Sequence, residues 1–115
     1  MGRRIDVLAI IRNTVFVIEF KVGETHFTRA ALDQVWDYAL DLKNFHEPSH
    51  HVTIAPILVA TEAHEGFSAV TASHHNDGVL IPIKTSPESL RACIEQVLLL
   101  SDGPDIDSDR WMHGR

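Results

Sequence analysis

Hydrophobic and β-branched residues dominate positions 4–11 and 14–22, and both stretches are largely apolar on both faces, as strands covered on two sides are. A two-residue turn at Arg12 and Asn13 would join them and set Ile11 opposite Thr14. From Thr28 to about position 45 the spacing becomes helical: Leu32, Val35, Trp36, Ala39, Leu42 and Phe45 form one apolar stripe. Thr28 is the capping residue, with Phe27 and Leu32 at the offset of a hydrophobic staple. Residues 46–51, with Pro48 among them, read as a polar loop. Residues 54–61 read as a third strand, which Pro56 restricts to an edge or to pairing from Ile57 onward. Residues 62–77 read as irregular, with a short helix over 66–72 as the alternative, and 79–83 as a fourth, short strand. Ser86, Pro87 and Glu88 supply a cap, a proline at the first helical position and an early acid for a second helix. Its apolar stripe is Leu90, Ile94, Val97 and Leu98, and Gly103 and Pro104 follow its end. No internal repeat is present. The order predicts an α/β fold, a mixed sheet of about four strands flanked by helices.

Three charged residues interrupt the first two strands: Asp6, Glu19 and Lys21. The turn at Arg12 and Asn13 sets the register, and that register puts Asp6 opposite Glu19. Directly opposed residues have Cβ atoms about 5 Å apart, where like charges destabilise. Strand alternation places Glu19 and Lys21 on the face that carries Asp6 and turns Ile18 and Phe20 the other way. Two acids held together with a lysine beside them are what a divalent cation and a phosphate require.

Composition bounds this picture without changing it. The chain has 115 residues, 44% hydrophobic and 23% charged, which fits one domain with a modest core and argues against wholesale disorder. Its apolar runs fall well short of the roughly 20 residues of a membrane span. The N-terminus runs straight into a strand with no signal-peptide pattern. A single cysteine, Cys93, lies in the second helical pattern and reads as a buried thiol; the expected compartment is the cytoplasm. The net charge of −6 argues against a generally basic nucleic-acid-binding surface. Its distribution is uneven. Residues 1–22 hold four cations, Arg3, Arg4, Arg12 and Lys21, against Asp6 and Glu19, a surplus of two that leaves the remainder at −8.

An Asp on one strand, Glu-x-Lys on the next and Gln34 with Tyr38 on the following helix resemble the PD-(D/E)xK nuclease superfamily. The resemblance is closest to its RecB-like and lambda-exonuclease-like branch, in which a Gln and a Tyr form an additional motif. It covers residues 3–61 well and the remainder weakly, and the same stretch looks like the N-terminal region of bacterial helicase-associated proteins. The resemblance implies a partial restriction-endonuclease-like core. Asp6 and Glu19 would be catalytic residues and ligands of Mg²⁺ or Mn²⁺, Lys21 would orient water or stabilise charge, and Gln34 and Tyr38 would bind substrate. It implies DNA as partner, with single-stranded or branched forms among the candidates. Residues 1–103 would be the nuclease-like domain, lacking the first helix and strand of the family core. Residues 104–115 would be a mobile tail or a linker to a downstream domain, and a homodimer is among the expected partners.

The plainer readings stand beside these. Asp6, Glu19 and Lys21 can be a strand-borne salt bridge, although two acids and one base leave a buried negative charge that costs several kcal/mol without a partner. Tyr38 can be a core residue with Gln34 at its rim. Asp33, Asp37 and Asp41, four apart, read as a solvated helix face balanced by Arg29 and Lys43. His46, His50, His51, His74 and His75 read as loop histidines, since structural zinc favours tightly spaced Cys and His pairs; His26 alone stands where it could reach a substrate. No Gly-rich phosphate loop and no Gly-x-Ser-x-Gly elbow is present. Three functions follow: a metal-dependent nuclease, a catalytically inert nuclease-like binding module, and a structural oligomerisation unit.

Overall fold

A computed structural model of the chain describes residues 3–45, 52–72, 78–101, 106–107 and 111–112. His46, His50, His51, His74 and His75, the loop at Pro48, and Gly103 and Pro104 after the second helix lie outside the described residues. The elements are β1 (Arg3–Ile11), β2 (Thr14–Val22), α1 (Arg29–Phe45), β3 (Thr53–Ala60), β4 (Ile83–Thr85) and α2 (Leu90–Leu100), the last preceded by a 3-10 turn at Pro87–Ser89. The sheet order is β1-β2-β3-β4; β1 and β2 are antiparallel, while β2, β3 and β4 are parallel. This is a mixed four-stranded sheet with a helix on each face, the α/β arrangement expected.

The hairpin follows its turn chemistry. Arg12 and Asn13 are the two turn residues, Ile11 pairs with Thr14, and the register carries through to Asp6 opposite Glu19. Arg12 takes φ +54, the left-handed value that the first position of a tight hairpin turn demands. The α1 cap also forms as expected: the Ala31 N–H donates to Thr28 Oγ1 at 3.1 Å and the Leu32 N–H to the Thr28 carbonyl at 3.0 Å. Phe27 and Leu32 both pack on the same core cluster, as a staple requires. Thr28→Ala is therefore expected to cost about 1 kcal/mol, read as a lower urea midpoint with an unchanged slope; an unchanged midpoint would refute the cap.

Two clusters sandwich the sheet. Val15, Val17, Ile54 and Leu58 meet Ala31, Val35 and Ala39 of α1 on one face; Phe16, Ile18, Ala55, Ile57, Val59 and Ile83 meet Cys93 and Val97 of α2 on the other. β2 therefore alternates, odd residues toward α1 and even residues toward α2, and β1 alternates in the opposite phase: Ile10 packs on the α1 side, Ala9 and Ile11 on the α2 side. Asp33, Asp37 and Asp41 are exposed, as a solvated face should be. Cys93 is a buried free thiol, and burial pushes its pKa up to about 11.

Five expectations are corrected or narrowed. β3 is an interior strand, paired with β2 along its whole length, Pro56 opposite Val17 included, and only its ladder with β4 begins at Ile57 as expected. The missing N–H is tolerated because Pro56 faces the other side. The Ile54 N–H donates to the Gly78 carbonyl and the Ile54 carbonyl accepts from Leu80, so Pro56, two residues on, also points toward the edge. There the ladder is interrupted. Between the Ile54–Val79 bridge and the Ile57–Ile83 pair, two residues of β3 face three of the edge. That same interruption moves β4 to Ile83–Thr85 and leaves Val79 and Leu80 as isolated bridges. Residues 66–72 form no helix; Ala72 bridges Leu80, and Ser68 brackets Lys84 with bonds to its N–H and its carbonyl, each 2.9 Å. Pro87 does lead into the second helical segment, but the Ser86 hydroxyl makes no cap bond and is buried without a partner. The tail assigned to 104–115 contributes packing where it is described: Trp111 is 5% exposed within the α1-side cluster, and the Ile106 N–H donates to the Arg12 carbonyl at 2.7 Å.

Among the described residues, no helix is long and apolar enough to cross a membrane.

Candidate active site

The hairpin register and the two alternations bring the expected residues to one place. Asp6 on β1 and Glu19 on β2 are directly paired, and both project from the α1 face. With Val7, Leu8, Val17, Ile18, Val35 and Tyr38 they line a cavity of about 200 Å³. Tyr38 reaches it from α1, one helical turn beyond Gln34. The residue is 40% exposed, so it belongs to the cavity mouth rather than to the core. Gln34 stands beside Lys21 instead: the ammonium donates a long hydrogen bond of 3.4 Å to Gln34 Oε1. Lys21 also lies 3.1 Å from Glu19 Oε2. All five residues named from the sequence thus gather between β1, β2 and the first ten residues of α1.

The two acids differ in surroundings. Glu19 has a side chain 7% exposed, flanked by strand neighbours and opposite Leu58 of β3, whereas Asp6 has a side chain 36% exposed on the outer strand. Glu19 Oε2 is within ion-pair distance of Lys21 Nζ but accepts no hydrogen bond. We read the contact as a charge pair whose donor is not aligned; the short separation gives attraction without saturating the oxygen. Asp6 has its own cation, since Arg4 Nη2 is 3.3 Å from Asp6 Oδ2, with both side chains well exposed. The sequence reading counted two acids and one base here and missed Arg4. The signal was present, because Arg4 and Asp6 are two apart on one strand and so share its face. An exposed pair of this kind contributes about 0–1 kcal/mol and exchanges readily with other partners.

Beyond Lys21, a second cavity of about 210 Å³ is lined by Lys21, Glu24, His26, Thr28 and Ala31. His26 is exposed there, next to the start of α1, and shares that cavity with Lys21.

Whether the acids suit a divalent cation is a question of donor chemistry. Among the described residues no group of three or more His, Cys, Asp and Glu converges on one point. Mg²⁺ does not require one: it binds through one or two carboxylates, keeps several waters, and takes phosphate oxygens as further ligands. Asp6 and Glu19 supply two carboxylates beside an open cavity, and Glu19 Oε2 has no hydrogen-bond donor satisfying it. The donor set fits that ion.

Comparisons of the chain with protein-family models, with curated proteins and with solved structures gave no match.

Proposed function

We propose that this chain is a metal-dependent nuclease domain that hydrolyses DNA phosphodiester bonds, in the manner of the PD-(D/E)xK enzymes its strand and helix motifs resemble. One observation carries the reading. Asp6 and Glu19, from different strands, are paired at a cavity that Tyr38 also lines, with Lys21 3.1 Å from Glu19 and bonded to Gln34. Asp6 and Glu19 would hold Mg²⁺ or Mn²⁺, which when bound supplies Lewis acidity at the phosphate and a more acidic water. Lys21 is held between Glu19 and Gln34, so its ammonium has a defined position beside the acids, from which it can orient a water or balance charge developing on the phosphate. Gln34 holds that ammonium through Oε1, which leaves its amide N–H groups as donors a substrate could use. Tyr38, half-exposed at the mouth, presents a ring and a hydroxyl to a base or a phosphate. The locally basic segment 1–22 would meet the DNA, and the downstream helicase-type context suggested by the resemblance belongs to this same proposal.

A specific observation favours a second reading, a nuclease-like module that binds nucleic acid without cutting it. Arg4 already sits on one oxygen of Asp6, an arrangement that neutralises the acid without metal. Cleavage of plasmid and single-stranded DNA across a titration of Mg²⁺ and Mn²⁺ separates the two. The first reading expects metal-dependent cleavage, lost in Glu19→Ala and reduced on the order of 10²–10³-fold in Lys21→Ala. Metal-independent cleavage, or cleavage indifferent to both substitutions, would sink it; DNA binding with no cleavage would establish the second.

A further inference from the structure

Every residue of β1 from Arg3 to Leu8 is exposed, and Ile5, Val7 and Leu8 keep 53%, 39% and 42% of their surface in solvent. By the alternation described above, Ile5 and Val7 belong to the α2 face and Leu8 to the α1 face, so both faces of this half-strand are bare. Among the described residues nothing pairs with its outer edge. The ladder also fixes where its backbone points. The Lys21 carbonyl accepts the Thr61 N–H at 3.2 Å on the β3 side, so Lys21 and its partner Arg4 form a non-hydrogen-bonded pair. Arg4, and by alternation Asp6 and Leu8, therefore direct N–H and C=O away from β2 into the open edge.

An apolar edge strand with free backbone groups is a template for another strand. Its charges select which one. Let a second copy of β1 lie antiparallel with Ile5 opposite Ile5. Arg4 then faces Asp6 of the second copy and Asp6 faces its Arg4, two opposite-charge pairs made by one symmetry operation. The outward backbone groups of Arg4 and Asp6 fall opposite one another, as hydrogen-bonded pairs must. Sliding the register by two residues sets Asp6 against Asp6 in one direction and Arg4 against Arg4 in the other. We propose that the free edge of β1 is a homodimer interface, in which two copies pair antiparallel about Ile5 and join their sheets into one. The two-fold axis is perpendicular to the sheet, so both Asp6–Glu19 pairs lie on the same face, with Arg4 of the second copy directly across from each Asp6. The interface involves β1 alone and is independent of any nuclease activity.

The test is sedimentation mass, without metal or DNA. The wild-type chain is expected at twice 12.9 kDa at micromolar concentration. Arg4→Asp and Asp6→Arg, each alone, oppose like charges at both pairs and are expected to weaken self-association by about tenfold or more. An equal mixture of these two variants restores complementarity and is expected to recover the dimer mass. A covalent readout covers the case in which either reversal fails to fold. Ile5→Cys places two thiols on the axis, with Cα atoms about 4.5 Å apart, within reach of a disulfide. Val7→Cys, opposite Arg3 in this register, leaves its two thiols roughly 13 Å apart. Cys93 does not compete, being buried and with its thiol pushed up to about 11. Mild oxidation is expected to cross-link the first cysteine variant and not the second. A wild-type chain that stays monomeric at micromolar concentration, single reversals that dimerise like wild type, a mixture that stays monomeric, or equal cross-linking of the two cysteine variants would each overturn the interface.

Discussion

Lys21→Ala is expected to lower the stability of the metal-free protein by about 2–3 kcal/mol, and addition of Mg²⁺ to recover part of it. Removing one partner of a buried ion pair typically costs about 3–5 kcal/mol, because the other charge is left without compensation. The figure is discounted here because the Lys21 side chain is 25% exposed, while Glu19, at 7%, is the group truly held away from water. Glu19 Oε2 makes no hydrogen bond even with Lys21 present, so no donor replaces the ammonium when it goes. In a chain of 115 residues the loss corresponds to a fall of roughly 10 °C in the melting temperature. A cation bound by Asp6 and Glu19 binds only the folded state and must raise that temperature as its concentration rises. In Asp6→Asn combined with Lys21→Ala the recovery should disappear. A melting temperature unmoved by Lys21→Ala would show that Glu19 is compensated otherwise; one lowered by the substitution but indifferent to Mg²⁺ would leave the salt bridge as the whole role of the pair.

Phe16→Ala is expected to have the larger effect on folding, about 4 kcal/mol, a large share of the 5–15 kcal/mol that holds a domain of this kind together. Phe16 is fully buried, the third residue of β2, and its neighbours across the sheet are Ala9 on β1 and Ala55 on β3. Two small residues beside a large one let the ring spread over the sheet beneath α2. Truncation would leave three alanines side by side, and the backbone hydrogen bonds of two ladders prevent the strands from closing the gap. Collapse is thus limited, which places the cost toward the upper part of the usual range. Phe16→Leu, which keeps most of the volume, is expected to cost only about 1–1.5 kcal/mol. Urea unfolding of the two variants gives the comparison; equal midpoints would mean that the α2-side core relaxes around the cavity.

What could be read from the sequence was what local chemistry decides. A two-residue turn determines every pairing in its hairpin, so the opposition of Asp6 and Glu19 followed from Arg12 and Asn13 alone. Thr28 as cap, the exposed row of Asp33, Asp37 and Asp41, and the buried Cys93 follow from single-element periodicity in the same way. What escaped was what a distant segment decides. Pro56 argues against a central strand only if its absent N–H is needed, and the interrupted pairing at 80–82 removes that need. The shift of β4 has the same origin. Trp111 reaches the core across a stretch whose composition reads as polar tail, and nothing in its neighbours marks it as a core residue. In the candidate site, strand alternation located the five side chains, and the Arg4–Asp6 pair obeys the same alternation, since residues two apart on a strand share its face.

The division of the core into two clusters has an optical consequence. Both tryptophans of the chain belong to one side: Trp111 lies within the α1-side cluster and Trp36 packs against it, while the α2-side cluster contains none. The sole tyrosine, Tyr38, is also on α1. Intrinsic emission is therefore a gauge of the α1 layer only, and α2 can leave the sheet without dimming it. Far-ultraviolet dichroism registers both helices, so coincidence of the two unfolding curves is a demanding check that both layers come apart together.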